Sequence, residues 1–177
     1  MAIKDRRVAV LATDGVEQIE LTAPVKALRD AGARVDVIAP KAGAIQGMNH
    51  DQKGDQIPVD IMLSDARAEQ FDALVLPGGV ANPDTLRTVP EAVAFVRYFV
   101  SAKKPIAAIC HGPWTLINAG GVSGRRMTSW PSLKADLMNA GAEWTDEPVV
   151  KDGPLITSRK PDDLPQFNAA ILETLAN

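Results

Sequence analysis

Along this 177-residue chain, short apolar runs rich in valine, isoleucine and leucine alternate with longer stretches of helical spacing. The runs are RVAVLAT (7–13), RVDVIAP (34–40), ALVLPGG (73–79) and PIAAIC (105–110). Each is almost continuously apolar rather than alternating with polar residues, the pattern of parallel strands covered on both faces. Between the runs, Leu21, Val25 and Leu28 repeat at i, i+4, i+7, and Gly32 supplies the stop. Val93, Val96 and Val100 mark a second stripe. Leu133 and Leu137 face together ahead of Gly141. Leu164, Phe167, Ile171 and Leu175 line a last helix behind Asp162 and Asp163. Strands alternating with helices at this spacing predict right-handed βαβ units and a doubly wound α/β sheet.

Two stretches break the rhythm. EPVVKDGPLITS (147–158) reads as a hairpin turning at Asp152-Gly153. The segment Lys41 to Pro58 is polar and dotted with glycine, which predicts a loop or a short antiparallel excursion. No Gly-x-Gly-x-x-Gly follows the first strand and no Gly-Lys-Ser/Thr phosphate loop occurs, so nucleotide binding by those fingerprints is unsupported.

Composition narrows the picture. The length fits one domain, 1–177, with a core large enough to need no staple. A single cysteine allows no internal disulfide, which fits a reducing compartment. With only His50 and His111 beside it, a structural zinc site is not expected. The net charge is -3 and the 19 basic residues are scattered, so no stripe for nucleic acid stands out. The opening apolar run, Val8 to Ala12, is too short for a signal segment or a membrane span. The expectation is a soluble, cytoplasmic protein with no membrane partner.

Candidate chemistry gathers at the carboxyl ends of the runs, where open α/β sheets bind ligands. The fourth run ends in Ala108-x-Cys110-x-Gly112, small-x-nucleophile-x-glycine, with Pro113 suited to the first turn of a helix. That is a strand-turn-helix elbow, whose small flanking residues let the backbone turn sharply and present the central side chain. Read by itself, Cys110 is a small buried hydrophobe. At an elbow it is a nucleophile, and a helix N-terminus there is expected to lower its pKa. His111 is a base only if its ring reaches the thiol, which adjacency on a turn does not guarantee. The first run leads into Glu17 and Glu20, spaced to share one face of a first helical turn. One of them is accounted for as a capping or dipole partner; a carboxyl reaching Cys110 would share a proton with it. The third run ends in Gly78-Gly79. These glycines make a tight turn needing positive φ, or they offer bare amides for an oxyanion hole, with Gly79 and His111 N–H as the candidate donors.

Taken together, these pieces resemble the DJ-1/PfpI superfamily, and more closely its PfpI-like branch of intracellular proteases and stress-response deglycases. The matching residues are Glu17, Glu20 and Pro24, then FDALVLPGG (71–79), KPIAAICHGP (104–113), GRRMTSW (124–130), NAGAEW (139–144) and SRKPDDLP (158–165). They run in order over nearly the whole chain. The resemblance implies a flavodoxin-like (Rossmann-like) sandwich, a mostly parallel sheet with helices on both faces and a small antiparallel hairpin. It implies Cys110 as nucleophile, His111 as neighbouring base and Glu20 as the carboxyl that hydrogen-bonds the thiol, with no cofactor and no metal. Where some members carry a tyrosine near the site this chain has Trp130, whose indole donates one hydrogen bond and cannot act as an acid. In PfpI-type assemblies an acidic residue from a neighbouring subunit orients the histidine. The matching position here is Asp84, which otherwise caps the short helix after the turn. A homodimer or higher homo-oligomer follows from that.

The expected activity is a cysteine-dependent hydrolysis of small reactive carbonyls or their adducts on protein side chains, of glyoxalase or deglycase type. A peptidase is the alternative in the same site. A glutamine amidotransferase fails because no histidine follows His111. A non-enzymatic redox sensor or chaperone-like stress protein is a reading of another class: a lone reactive thiol oxidises to sulfenic and then sulfinic acid.

Overall fold

The computed structural model describes residues 3–177. In chain order its elements are β1 (Arg7–Leu11), β2 (Val16–Glu17), α1 (Gln18–Asp30), β3 (Arg34–Ala39), β4 (Ala44–Asn49), β5 (Gln52–Pro58) and β6 (Ile61–Met62). There follow β7 (Ala73–Leu76), α2 (Ala81–Leu86), α3 (Pro90–Ser101), β8 (Ile106–Ile109), α4 (Pro113–Asn118) and β9 (Arg126–Met127). The chain ends with α5 (Lys134–Asn139), β10 (Glu143–Trp144), β11 (Val149–Asp152), β12 (Leu155–Ser158) and α6 (Leu164–Ala176).

The four apolar runs are the middle of a seven-stranded sheet in the order β11-β12-β8-β7-β1-β3-β6. Every neighbouring pair is parallel except β11 with β12. Their continuous apolarity has a direct cause in β1. Val8, Val10 and Ala12 pack with α1 and α6 on one face, through Leu21, Leu28, Phe167 and Ile171. Ala9 and Leu11 pack on the other, with Phe71, Phe95, Phe99 and Leu116. Neither face meets water beyond Arg7 at the strand's start, so Val8 to Leu11 are all apolar.

Two expectations shift in detail, and a third is met in one of its two forms. In α3 the buried residues are Ala92, Phe95, Val96 and Phe99, while Val93 and Val100 are only partly buried. Two phenyl rings bury more area than two isopropyl groups, so the helix turns that face inward. The hairpin of β11 and β12 pairs Asp152 with Leu155, which moves its turn to Gly153-Pro154, with Gly153 at φ +57°. The polar segment after β3 is an antiparallel pair, β4 and β5, which joins β2 in a small second sheet.

That second sheet is tied to the start of α1 residue by residue. Asp14 Oδ1 accepts from the Gln46 amide at 2.8 Å, and the Gly15 amide donates to the Gln46 carbonyl at 2.9 Å. Gln18 accepts from the Asp55 amide at 2.7 Å and donates to its carboxylate at 2.9 Å. The hairpin is thereby fixed beside the carboxyl end of the main sheet. No described helix is long and apolar enough to cross a membrane.

Candidate active site

Cys110 directly follows β8 and adopts φ +62°, left-handed backbone that a residue with a side chain enters at a cost of roughly 1–2 kcal/mol. Hydrogen bonds on both sides hold it there. Its amide donates to the Ser158 carbonyl at 3.1 Å, and its carbonyl accepts from the Trp130 amide at 2.9 Å. Gly112 makes room for the turn: a Cβ at that position would run into the Leu76 carbonyl oxygen and lie 2.9 Å from that of Ile109. Pro113 then opens α4, where its missing N–H costs nothing. The small-x-cysteine-x-glycine spacing therefore folds as the elbow it predicts.

The turn points the thiol into a cluster of polar groups. Sγ lies 3.1 Å from His111 Nδ1, so the adjacent side chains do touch. The amides of His111 and Gly79 lie beside the sulfur, and so does the carboxyl of Glu20. Gly79 has φ +74°, and a Cβ there would lie 2.7 Å from the Glu17 nitrogen; Gly78 is not in the left-handed region. Gly78 is bare for a different reason. Its amide donates to Glu20 Oε1 at 3.0 Å, and a Cβ would lie 2.6 Å from that oxygen and 2.8 Å from Cys110 Cβ.

Glu20 is fully buried on the first turn of α1. Burial holds its carboxyl up at about 8 from the ordinary 4.5; the Gly78 amide pulls it down and the charge of Glu17 raises it further. Its second oxygen, Oε2, is buried without a hydrogen-bond partner. Burial, and then the charge of Glu20, push the Cys110 thiol up, while the two amides pull it down. The direction is opposite to the one the elbow predicts from sequence. The reason is that desolvation of the buried thiol, together with the charge of Glu20, outweighs the pull of the two amides. The push from Glu20 exists only while Glu20 is ionised. Near neutral pH the buried pair carries at most one negative charge, and a protonated Glu20 has in Oε2 a free donor for a charged sulfur. Burial also lowers the pKa of His111, which keeps the imidazole neutral and able to accept a proton.

Two indoles bracket the His111 ring. Trp130 stacks on it with centroids 5.9 Å apart and planes 23° apart, and Trp114 meets it edge-on at 5.2 Å. Trp114 is itself anchored by donating to Asp136 at 2.9 Å.

The thiol opens into a cavity of about 530 Å³, within the range of small-molecule sites. Its walls include Glu17, Glu20, Gly79, Cys110, His111 and Trp130, so these sequence-expected residues meet in one place. Gly78 stands behind them, holding Glu20. Asp84 does not line the cavity. It is exposed on α2, and no side chain caps that helix, so the capping role is not the one Asp84 fills. Glu17 caps nothing either: both its carboxylate oxygens accept from the His50 amide, at 3.3 and 3.2 Å.

Three contributors were not read from the sequence. Met48 and His50, on β4 and its turn, form a wall of the cavity, with His50 at φ +59°. Asn82 is completely buried: it accepts from the Thr13 amide at 2.8 Å and donates to the carbonyls of Pro77 and Gly78 at 3.0 and 2.9 Å. It ties the ends of β1 and β7 together under the two glycines. An asparagine three residues after a Gly-Gly turn was the available signal for it. No group of three or more His, Cys, Asp or Glu side chains among the described residues gathers as a metal site.

Comparison with known proteins adds to the geometry. The family model of the DJ-1/PfpI family matches residues 6–174. A Bacillus subtilis protein provisionally named a cysteine protease, YraA, is 43% identical over 170 residues, covering 96% of this chain and 98% of its own. A Pyrococcus abyssi protein named a deglycase is 43% identical over 158 residues, covering 89% and 92%. The crystal structure of Drosophila melanogaster DJ-1beta superposes with a TM-score of 0.89 at 34% identity, covering 97% of this chain and 91% of that one.

Proposed function

The chain belongs to the DJ-1/PfpI family, and from that premise we propose that it hydrolyses small reactive carbonyls, or their adducts on protein side chains, through Cys110. The observation that carries this reading is the elbow. A strained cysteine stands 3.1 Å from a neutral histidine, with two backbone amides at its sulfur, at the bottom of a small-molecule cavity. The deglycase name of one relative supports it.

For methylglyoxal, Sγ adds to the aldehyde carbon as His111 Nδ1 takes the thiol proton, giving a thiohemiacetal whose oxygen faces the Gly79 and His111 amides. The hydrogen on that carbon then moves as a proton to the neighbouring carbonyl carbon, through an enediol. A carboxyl at about 8 can lend and recover such a proton near neutral pH, which gives Glu20 its role. The first carbon is oxidised to a thioester and the second reduced to an alcohol, with no external oxidant. Water releases lactate and restores the thiol. A cysteine peptidase would have to attack an unactivated amide with the same groups, a harder reaction that demands a better-oriented base.

In this reading His111 keeps its proton on Nε2 so that Nδ1 is free, and Nε2 calls for an acceptor. We propose that Asp84 of a second copy supplies it in a homodimer. The test is subunit mixing: inactive Cys110→Ala and inactive Asp84→Ala proteins recover part of the activity when they form mixed dimers. Mixed dimers that stay inactive, or a fully active Asp84→Ala protein, overturn this. The activity itself is tested by lactate production from methylglyoxal, alongside hydrolysis of an unstructured peptide. Turnover of the peptide without lactate would favour the peptidase.

A further inference from the structure

The walls of the Cys110 cavity hold two carboxyl side chains, Glu17 and Glu20, and no lysine or arginine. Of the basic residues next to wall residues, Lys53, opposite Met48 on β5, makes no ion pair among the described residues, and Lys160, beside Pro161, pairs with Asp162 only at 3.9 Å; the others are held. Lys41 pairs with Asp14 at 3.1 Å, and Arg159 is held by Asp163 and Asp146, both at 2.9 Å. Glu17 is different. Among the described residues its carboxylate makes no ion pair; its partner is the uncharged backbone amide of His50. It is only partly buried and sits between the protein and the cavity, so its charge projects into the space a substrate fills. The wall also holds the two imidazoles of His50 and His111, while Met48, Val80, Ala81, Trp130 and Pro161 are apolar and cannot screen the charge as water does.

We infer that the cavity sorts its substrates by charge, with Glu17 as the sorting group. It admits neutral carbonyls and favours those carrying a cationic group, and it turns away carbonyls that carry a carboxylate, such as α-oxo acids. The inference rests on the reading of Cys110 as the reactive group. It adds which carbonyls that group meets, a property the elbow alone does not determine. A charge about 8 Å from Glu17, in an effective dielectric of about 20 and partly screened at 0.1 M salt, is attracted or repelled by roughly 5-fold. Between a cation and an anion of one shape the contrast is then roughly 25-fold at 0.1 M salt.

The probes are two thiol reagents of similar size, 2-aminoethyl methanethiosulfonate, a cation, and 2-sulfonatoethyl methanethiosulfonate, an anion. Each transfers its alkylthio group to sulfur and releases methanesulfinate, so no carbonyl chemistry is involved. The rates at Cys110, the only cysteine, are followed by intact mass and divided by the rates with 2-mercaptoethanol. The expected cation-to-anion ratio is roughly 25 at 0.1 M salt and larger below it, falling towards 1 at 1 M salt, where the screening length is about 3 Å. Glu17→Gln is expected to lower the low-salt ratio several-fold. A wild-type ratio near 1 at low salt overturns the inference, and so does a ratio unmoved by both salt and Glu17→Gln. If neither reagent modifies folded Cys110, the reading of the thiol fails and the sorting proposal fails with it. A charge-blind but fast reaction would overturn the sorting alone.

Discussion

Replacing Glu20 with glutamine should make the protein more stable, by an amount that depends on pH. Glu20 is buried, and its carboxyl is held at about 8 against an ordinary 4.5. A carboxyl raised on folding binds its proton more tightly in the native state. Stability from this group is therefore complete below pH 4.5, is lost as pH rises, and levels off above pH 8. Each pH unit in that window corresponds to about 1.36 kcal/mol, so the cost reaches about 3 kcal/mol at pH 7 and about 5 kcal/mol above pH 8. Glutamine does not ionise. Its Oε1 can still accept from the Gly78 amide, and its N–H2 can donate where Oε2 now has no partner. For a chain of this length the gain at pH 7 corresponds to a rise in Tm of roughly 10 °C. Thermal unfolding of both proteins at half-unit intervals from pH 4.5 to 9 measures it. The Tm difference should be small at pH 5, grow to pH 8 and stay flat beyond. A difference that is constant across this range, or a less stable glutamine variant at pH 7, would refute the argument that Glu20 is held protonated by burial.

Other substitutions probe the supports of the site. Asn82→Ala leaves the Thr13 amide and two carbonyls without partners, so it should destabilise by about 2–4 kcal/mol in denaturant titration and slow Cys110 alkylation in the folded protein. Gly79→Ala places a Cβ 2.7 Å from the Glu17 nitrogen at φ +74° and displaces one of the two amides at the sulfur. Its kcat should fall about 100-fold with KM little changed. Trp130→Ala exposes the His111 ring to water, so the His111 pKa, lowered in the native protein by burial, should rise. The acidic limb of kcat/KM then moves to higher pH, whereas Trp130→Phe, which keeps a stacked ring, should leave it in place.

The parallel strands and the elbow were legible in sequence because each leaves a local mark. A strand covered on two faces has no polar position, and the turn at Cys110 admits only small neighbours at Ala108 and Gly112. The wall of the cavity left no such mark. His50 reaches it because β2 pairs with β4 and because Asp14, Glu17 and Gln18 bind the hairpin, contacts 31 to 37 residues apart in the chain. The direction of the thiol shift was hidden for a related reason, since a helix start can be read from Gly-Pro but burial is a property of the packed molecule. The stripe on α3 failed locally: valines at 93, 96 and 100 and the set Ala92, Phe95, Val96 and Phe99 have similar periodicity, and only packing against Phe71 selects between them.

The central claim is that Cys110 becomes covalently bonded to the carbonyl substrate during turnover. Because the chain has one cysteine, intact mass of acid-quenched samples reports the bond directly. Mixed with methylglyoxal, the wild-type protein should gain the mass of one methylglyoxal within the first turnover, located to Cys110 by peptide mapping. The adduct should decay as lactate appears, and Cys110→Ala should show neither adduct nor lactate. Lactate formed by Cys110→Ala at the wild-type rate, or turnover by the wild type with no adduct on Cys110 at any quench time, would contradict the account.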